Sequence, residues 1–519
     1  MVIDVRSSLT VMGGHMGKDL AKSVFAPEDR IRYRRKVHRC LDVLDGLLDA
    51  DVFDTGTGMT GLEIEINLVD ADAEPVMRNA ELLADLGDSR FQPELGRFNI
   101  EFNAPPRKIA PDGFGAFEKD ISEALRTAGE RAGKADSRLA LIGMLPTLTP
   151  EHLVLANLSD NERFRALNDE IVAARGEHFP VDIRGVERLR SASGTIVPEA
   201  ACTSCQFHLQ VPPEEFARYW NASQAVAGAQ VALGANSPFL HGRRLWAETR
   251  IALFEQATDT RPDEFKAQGV RPRVWFGERW ITSVFDLFEE NVRFFPPLLP
   301  LLSEEDPVAV RAGGGIPRLH ELCLHNGTVY RWNRPVYDVM DGRPHLRVEN
   351  RVLPSGPTVV DLLANAAFYF GVVRRLAESE RPIWSRLEFA TAAANFRSGA
   401  RHGLDATMCW PGLGEVGVTE LVQETLLPLA YEGLDRFGVH PAERDRLLGI
   451  IEGRCRTGRN GSTWQTAAVR AAEDRGRNRG TALREMTLRY LDLQHLNEPV
   501  HTWPCQPVAA VRRAPPDPA

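Results

Sequence analysis

Strict two-residue alternation recurs in four well-separated stretches of the chain, and a fifth, shorter one has the same parity. In GLEIEINLVD (61–70), Leu62, Ile64, Ile66 and Leu68 alternate with Glu63, Glu65 and Asn67. In RFNIEFN (97–103), Phe98, Ile100 and Phe102 alternate with Asn99, Glu101 and Asn103. CQFHLQV (205–211) sets Gln206, His208 and Gln210 against Phe207, Leu209 and Val211, and HLRVENRV (345–352) sets His345, Arg347, Glu349 and Arg351 against Leu346, Val348 and Val352. AETRI (247–251) puts Glu248 and Arg250 at the same spacing. Neighbouring side chains of a strand point to opposite faces, and like-facing ones stand roughly 6.6–6.8 Å apart, so each stretch is expected to be a half-buried strand. No repeat of ~20–50 residues and no Gly/Ser/Pro-rich linker divides the chain, so the strands are expected to share one sheet or a few tightly packed ones.

The polar face of such a sheet has unusual chemistry. A solvated face is ordinarily rich in Lys, Thr and Ser, whereas these five stretches offer carboxylates, arginines, amides and imidazoles without a single lysine. Carboxylates brought together need cations. Hard divalent ions such as Mg2+ take oxygen ligands from them and keep positions open for phosphate oxygens, while arginines on neighbouring strands supply planar forks for phosphate or carboxylate. The pattern points to a metal and triphosphate site on a sheet face rather than to a nucleophile.

The rest of the chain reads as helix. PEDRIRYRRKVHRCLDVLDGLLDA (27–50) spaces its apolar residues at three and four, and helices are expected at about 113–134, 213–231, 358–377, 418–437, 441–453 and 479–494. The expected architecture is α+β: a disordered extension over 1–16, a single catalytic domain over 17–503 that is helical after about 357, and a Pro-rich tail over 504–519. With 62 Lys+Arg against 71 Asp+Glu, the net charge of −9 argues against a general nucleic-acid coat or an anionic-membrane binder. No apolar run approaches the ~18–20 residues of a spanning helix. Seven scattered cysteines and the absence of a basic start followed by an apolar stretch fit a reducing cytoplasm.

Taken together, GLEIEINLVD, ELGRFNIEFNAPP, SCQFHLQV, LGANSPFLHGRRLWAETRI, RVENRVLPSGP and ANFRSGARHGLDA resemble, in their order, the glutamate–cysteine ligase-like family of carboxylate–amine ligases. The resemblance covers about residues 17–503. It implies a glutamine-synthetase-like fold, in which a strongly curved antiparallel sheet holds two or more Mg2+ ions, ATP and an amino-acid substrate on its inner face. By the same resemblance, Glu63 and Glu65 match an ExE pair that ligates two different Mg2+ ions. Glu94 and Glu101 match two acidic positions that complete a metal cluster before a Pro turn, here Pro105-Pro106. Gln206 and His208 match a strand of metal and nucleotide contacts, with His208 the ligand candidate and Gln206 a nucleotide contact. Glu349 and Arg351 match a late ExR pair, a metal carboxylate beside the arginine that meets the transferred phosphoryl group. Arg347 joins Arg351 as a catalytic candidate, and Arg250 and Arg331 are candidates for ATP or substrate binding. The implied activity is ATP-dependent coupling of an amino-acid carboxylate to an amine, with neither nucleic acid nor membrane as partner. A phosphotransferase on the same fold and a non-catalytic nucleotide-binding protein are the alternatives.

Other features carry less. Cys202 and Cys205 are three apart, so on a strand they face opposite ways, and no second pair completes a zinc site. RTGRNGS (456–462) lacks the GK[ST] ending of a phosphate-binding loop and reads as a plain turn. His320 and His325 read as structural, Gly313–Gly315 as a flexible loop, and Trp246, Trp275, Trp280 and Trp332 as core or pocket walls.

Overall fold

A computed structural model of the chain describes residues 25–56 and 58–505. The expected N-terminal extension (1–16), and the expected tail beyond Cys505, lie outside the described residues. Seven strands form one antiparallel sheet: β1 (Met59–Val69), β2 (Phe91–Pro93), β3 (Asn99–Lys108), β4 (Arg138–Ala140), β5 (Ser204–Gln210), β6 (Asn333–Met340) and β7 (Arg343–Pro354). Their order is β6-β7-β5-β1-β3-β2, with β4 paired to the end of β1 beyond the reach of β5. The register brings the polar positions level: Glu65 lies opposite Glu101, Glu63 opposite both Asn103 and Gln206, and Glu349 opposite His208.

Two irregularities bend the sheet. The β1–β3 register shifts between Thr60 and Leu62, and the β7–β5 register gains one residue between Asn350 and Leu353. Extra residues of this kind increase local twist and re-aim side chains, and they help to curl the ladder into a half-barrel. Its apolar face carries Leu62, Ile64, Ile66, Ile100, Phe102, Phe207, Leu209, Leu346 and Val348, all 2% exposed or less. Helices cover that face: α1 (Gly113–Lys134), α2 (Pro213–Gly234) and α3 (Val359–Ala377). Helix α3 is buried along nearly its whole length, as a helix apolar on every side must be.

The helical expectations match the observed helices at about 113–134, 213–231, 358–377, 441–453 and 479–494, and the N-terminal one appears as Pro27–Leu48. Over 418–437 the helix contains a π turn, Val422–Leu426, ahead of Pro428. RTGRNGS is a turn between two helices. Gly458 (φ 62°) ends Pro441–Thr457, and the Asn460 side chain caps Gly461–Asp474 by accepting the Thr463 N–H at 3.0 Å. Among the described residues no helix is long and apolar enough to cross a membrane.

One strand expectation fails. AETRI is not a strand: Glu248 precedes helix Thr249–Ala257 and Arg250 lies within it. Five residues of alternation cannot outvote the helix-forming ALFEQA that follows. The Glu248 carboxylate accepts from Asn236 N–H (2.8 Å) and from Arg250 Nε (3.1 Å), and Arg250 Nη2 donates to the Val352 carbonyl at the end of β7. The pair braces the end of β7.

Candidate active site

The concave face gathers the acidic residues into two groups. Glu63, His208 and Glu349 place one ligand atom each within 4.8 Å of one another, and Glu65, Glu94 and Glu101 do the same. Five of these six issue from strands. Glu94 comes from the turn between β2 and β3, where its carboxylate accepts the Leu95 N–H at 3.0 Å and its carbonyl accepts from the Ser159 hydroxyl.

Glu65 is firmly held. Its carboxylate accepts from Ser204 N–H (2.6 Å), the Ser204 hydroxyl (2.8 Å) and Gln206 Nε2 (3.0 Å). Glu101 accepts from the Asn103 amide at 2.8 Å. Burial, and then the charges of Glu63, Glu94 and Glu65, push the Glu101 carboxyl well above the ordinary range, and burial with the charge of Glu65 raises Glu94 to about 7. Glu349 goes the other way. Burial opposes its ionisation, but the guanidinia of Arg334 and Arg351 hold its carboxyl far below the usual value. Arg334 grips it with two hydrogen bonds, Nε to Oε2 at 2.7 Å and Nη2 to Oε1 at 2.8 Å. Arg351 lies where β7 carries its extra residue, and its Nη1 reaches both Glu349 and Gln206 Oε1, the latter at 2.5 Å.

His208 and Arg347 lie at the other end of the face. His208 Nε2 lies 2.9 Å from Glu63 Oε1, its partner on this face. Arg347 donates from Nε to His208 Nδ1 at 3.2 Å, and its Nη1 lies 2.9 Å from His345 Nε2 and 3.3 Å from Asp338 Oδ2. A cleft opens beside Glu63 and His208, with Arg90 and Arg347 on its polar side and Met59, Pro105, Pro106 and Met340 on its apolar side.

Both groups fit hard divalent cations. Carboxylate oxygens dominate the donor sets, and the charge they accumulate is uncompensated around Glu101. Of the residues singled out in the sequence, Glu63, Glu65, Glu94, Glu101, Gln206, His208, Arg347, Glu349 and Arg351 come together. Arg250 bonds the Glu248 carboxylate and the Val352 carbonyl, and its charge favours ionisation of Glu65. Arg331 lies in a two-residue strand paired in parallel with Val274–Trp275, where it donates to Glu290 (2.7 Å) and Asn291 (2.9 Å) and stacks on Trp275 at 4.8 Å.

Sequence reasoning missed Arg334, Asp338 and Glu199. The first two lie on β6, which alternates in burial along its whole length and is joined to β7 by Asp341-Gly342, both at positive φ. An Asp-Gly pair between alternating runs is a strong hairpin signal, and it was available in DVMDGRPHLRV. Glu199, on the short 3-10 helix Val197–Ala201, had no such signal; burial, then the charges of Glu94 and Glu65, push its carboxyl up to about 8.

Solved structures share this architecture. Glutamate–cysteine ligase of Francisella tularensis, in complex with AMP, superposes with a TM-score of 0.51 at 10% identity, over 88% of this chain and 91% of that one. A bifunctional glutathione synthetase of Pasteurella multocida superposes with a TM-score of 0.50 at 12% identity, over 87% of this chain and 54% of that one. No curated protein matches the chain by sequence. Fold, acidic face and family pattern together define a carboxylate–amine ligase, an enzyme that joins carbon to nitrogen. More narrowly, the chain belongs to glutamate–cysteine ligase family 2, whose model matches residues 59–485.

Proposed function

We propose that the protein is an ATP- and Mg2+-dependent ligase that activates an amino-acid carboxylate as an acyl phosphate and passes the acyl group to an amine. By family analogy the acid is glutamate and the amine cysteine. The observation that carries this reading is the pairing of two three-ligand groups on one sheet face with Arg351 reaching from Glu349 to Gln206.

In this reading Glu63, His208 and Glu349 hold one Mg2+ and Glu65, Glu94 and Glu101 another. Bound there, the cations supply positive charge to phosphate oxygens. The cleft beside Glu63 and His208 suits a nucleotide, with apolar walls for a base and Arg90 and Arg347 for phosphates. The chain's own groups do the rest. Ser204 and Gln206 fix the Glu65 carboxylate before any ligand arrives, so no reorganisation is needed during reaction. Arg334 takes up the charge of Glu349, and Arg351 remains to meet charge developing on the transferred phosphoryl group. A substrate carboxylate oxygen attacks the γ-phosphorus, the bond to the ADP oxygen breaks, and the amine then attacks the acyl carbon, losing a proton as inorganic phosphate departs.

ADP and phosphate release, measured across a panel of amino acids with and without an amine and with Mg2+ or EDTA, tests the reading. Turnover is expected to need Mg2+, one amino acid and one amine together. ADP with a stable phosphorylated product and no need for an amine would mean a phosphotransferase, and no turnover with any pair would mean a binding protein.

A further inference from the structure

The arginine that bonds His208 occupies the wrong nitrogen for a histidine about to hold a cation. A neutral imidazole carries one hydrogen, so a ring that accepts at one nitrogen donates from the other. Here Nδ1 accepts the Nε–H of Arg347 at 3.2 Å, which places the ring hydrogen on Nε2, the buried nitrogen nearest Glu63. When Nε2 instead gives its lone pair to a cation, the hydrogen sits on Nδ1. Two donors then face each other, and the Arg347 contact cannot persist.

The rest of the guanidinium shows what that release would do. Nη1 remains with Asp338 Oδ2 at 3.3 Å and His345 Nε2 at 2.9 Å, so the group stays anchored. Nη2 has no hydrogen-bond acceptor among the described residues, and Arg347 lines the cleft. Nε and Nη2 form the side edge of a guanidinium, two parallel N–H groups spaced for two oxygens of one phosphate. Half of that edge is tied to His208.

We propose that Arg347 is a nucleotide-binding residue held back by His208: ligation of a cation by His208 frees its Nε–Nη2 edge for a phosphate in the cleft, while Asp338, acting through Arg347, is a positioning residue. This rests on the ligase reading above and goes beyond it, because it makes the cation a precondition for full nucleotide affinity through a named contact.

Two crystal structures of the full chain without nucleotide, one in EDTA and one with Mg2+, test the contact. Arg347 Nε should stay within hydrogen-bonding distance of His208 Nδ1 in EDTA and leave it with Mg2+, with Nη1 still on Asp338. A structure in which His208 binds Mg2+ with the Arg347 contact intact, or in which His208 binds none, overturns the proposal. Calorimetric titration of ADP in Mg2+ tests the consequence. Arg347→Lys keeps the charge but lacks the edge and should bind ADP roughly tenfold more weakly or worse, the scale of one charge-assisted hydrogen bond, while Mg2+ should bind no more weakly than in the parent, because the contact that competes with ligation by His208 is gone. Asp338→Asn, which removes only the anchor's charge, should weaken ADP in the same sense and serves if Arg347→Lys does not fold. ADP affinity unchanged in the folded variant overturns the proposal. The amino-acid panel judges the ligase reading independently: an enzyme active there whose Arg347 stays on His208 remains a ligase without this latch.

Discussion

Arg334 faces Glu349 across the β6–β7 ladder in exact register, and its two nitrogens meet the two carboxylate oxygens at 2.7 and 2.8 Å. The carboxylate side chain is 1% exposed and the arginine 13%. Removing one member of such a pair leaves the other charged, buried and half-satisfied. Arg334→Ala should therefore lower the unfolding free energy by about 3 kcal/mol, the low end of the expected range because Arg351 still contacts Glu349. Urea denaturation in EDTA measures this. Adding Glu349→Gln to Arg334→Ala should recover part of the loss, and an additive double variant would mean that the two residues are not coupled.

Glu101 lies directly across from Glu65, and without a cation the two carboxyls meet with Glu63 and Glu94 close by. Like charges opposite each other on a ladder destabilise it, so Glu101→Gln should stabilise the metal-free protein by about 1 kcal/mol. Melting curves in EDTA should show a higher Tm than the parent, and the order should reverse in Mg2+. A lower Tm in EDTA would mean that Glu101 is a structural hydrogen-bond acceptor. Glu65 is the poorer choice for this experiment, because its truncation strands the three donors it accepts from Ser204 and Gln206.

Arg351→Lys keeps a positive charge but loses the planar group that reaches Glu349 and Gln206 together. If that two-pronged group serves the transition state, kcat should fall on the order of 10²–10³-fold while ATP affinity changes little. Steady-state kinetics with an equilibrium measurement of ATP binding separate the two. Equal losses in both would make Arg351 a binding residue.

Much of the site was legible because a strand's parity is rigid: once GLEIEIN, RFNIEFN, CQFHLQV and HLRVEN are strands, the facing of Glu63, Glu65, Glu101, His208 and Glu349 follows. Parity does not say which strands are neighbours, so the meeting of Glu349 with His208, 141 positions earlier, rested on the family pattern. What stayed hidden depends on local competition or on loops. Glu248 and Arg250 alternate like a strand yet belong to a helix start, and Glu199 comes from a segment without periodicity. Arg334 was overlooked because Pro335 interrupts its strand, which a sheet edge tolerates.

The hairpin that aligns Arg334 with Glu349 turns on Asp341-Gly342, at φ 51° and 75°. A β-branched side chain is strained there, so Gly342→Val should cost about 1–2 kcal/mol, whereas Gly342→Asn should be nearly silent. Thermal unfolding of the two variants checks the difference, and equal Tm values would show that the turn does not hold the register.

Glu94 alone among the six candidate ligands rides on a turn, and that division gives the site two time scales. Ligands fixed in hydrogen-bonded ladders move only when the sheet itself opens, so the amides of β1, β5 and β7 should be among the last to exchange with deuterated solvent. A turn rearranges orders of magnitude faster. In the proposed ligase, the ligands on strands would thus be set before any cation arrives, and exchange of bound species should proceed from the Glu94 side.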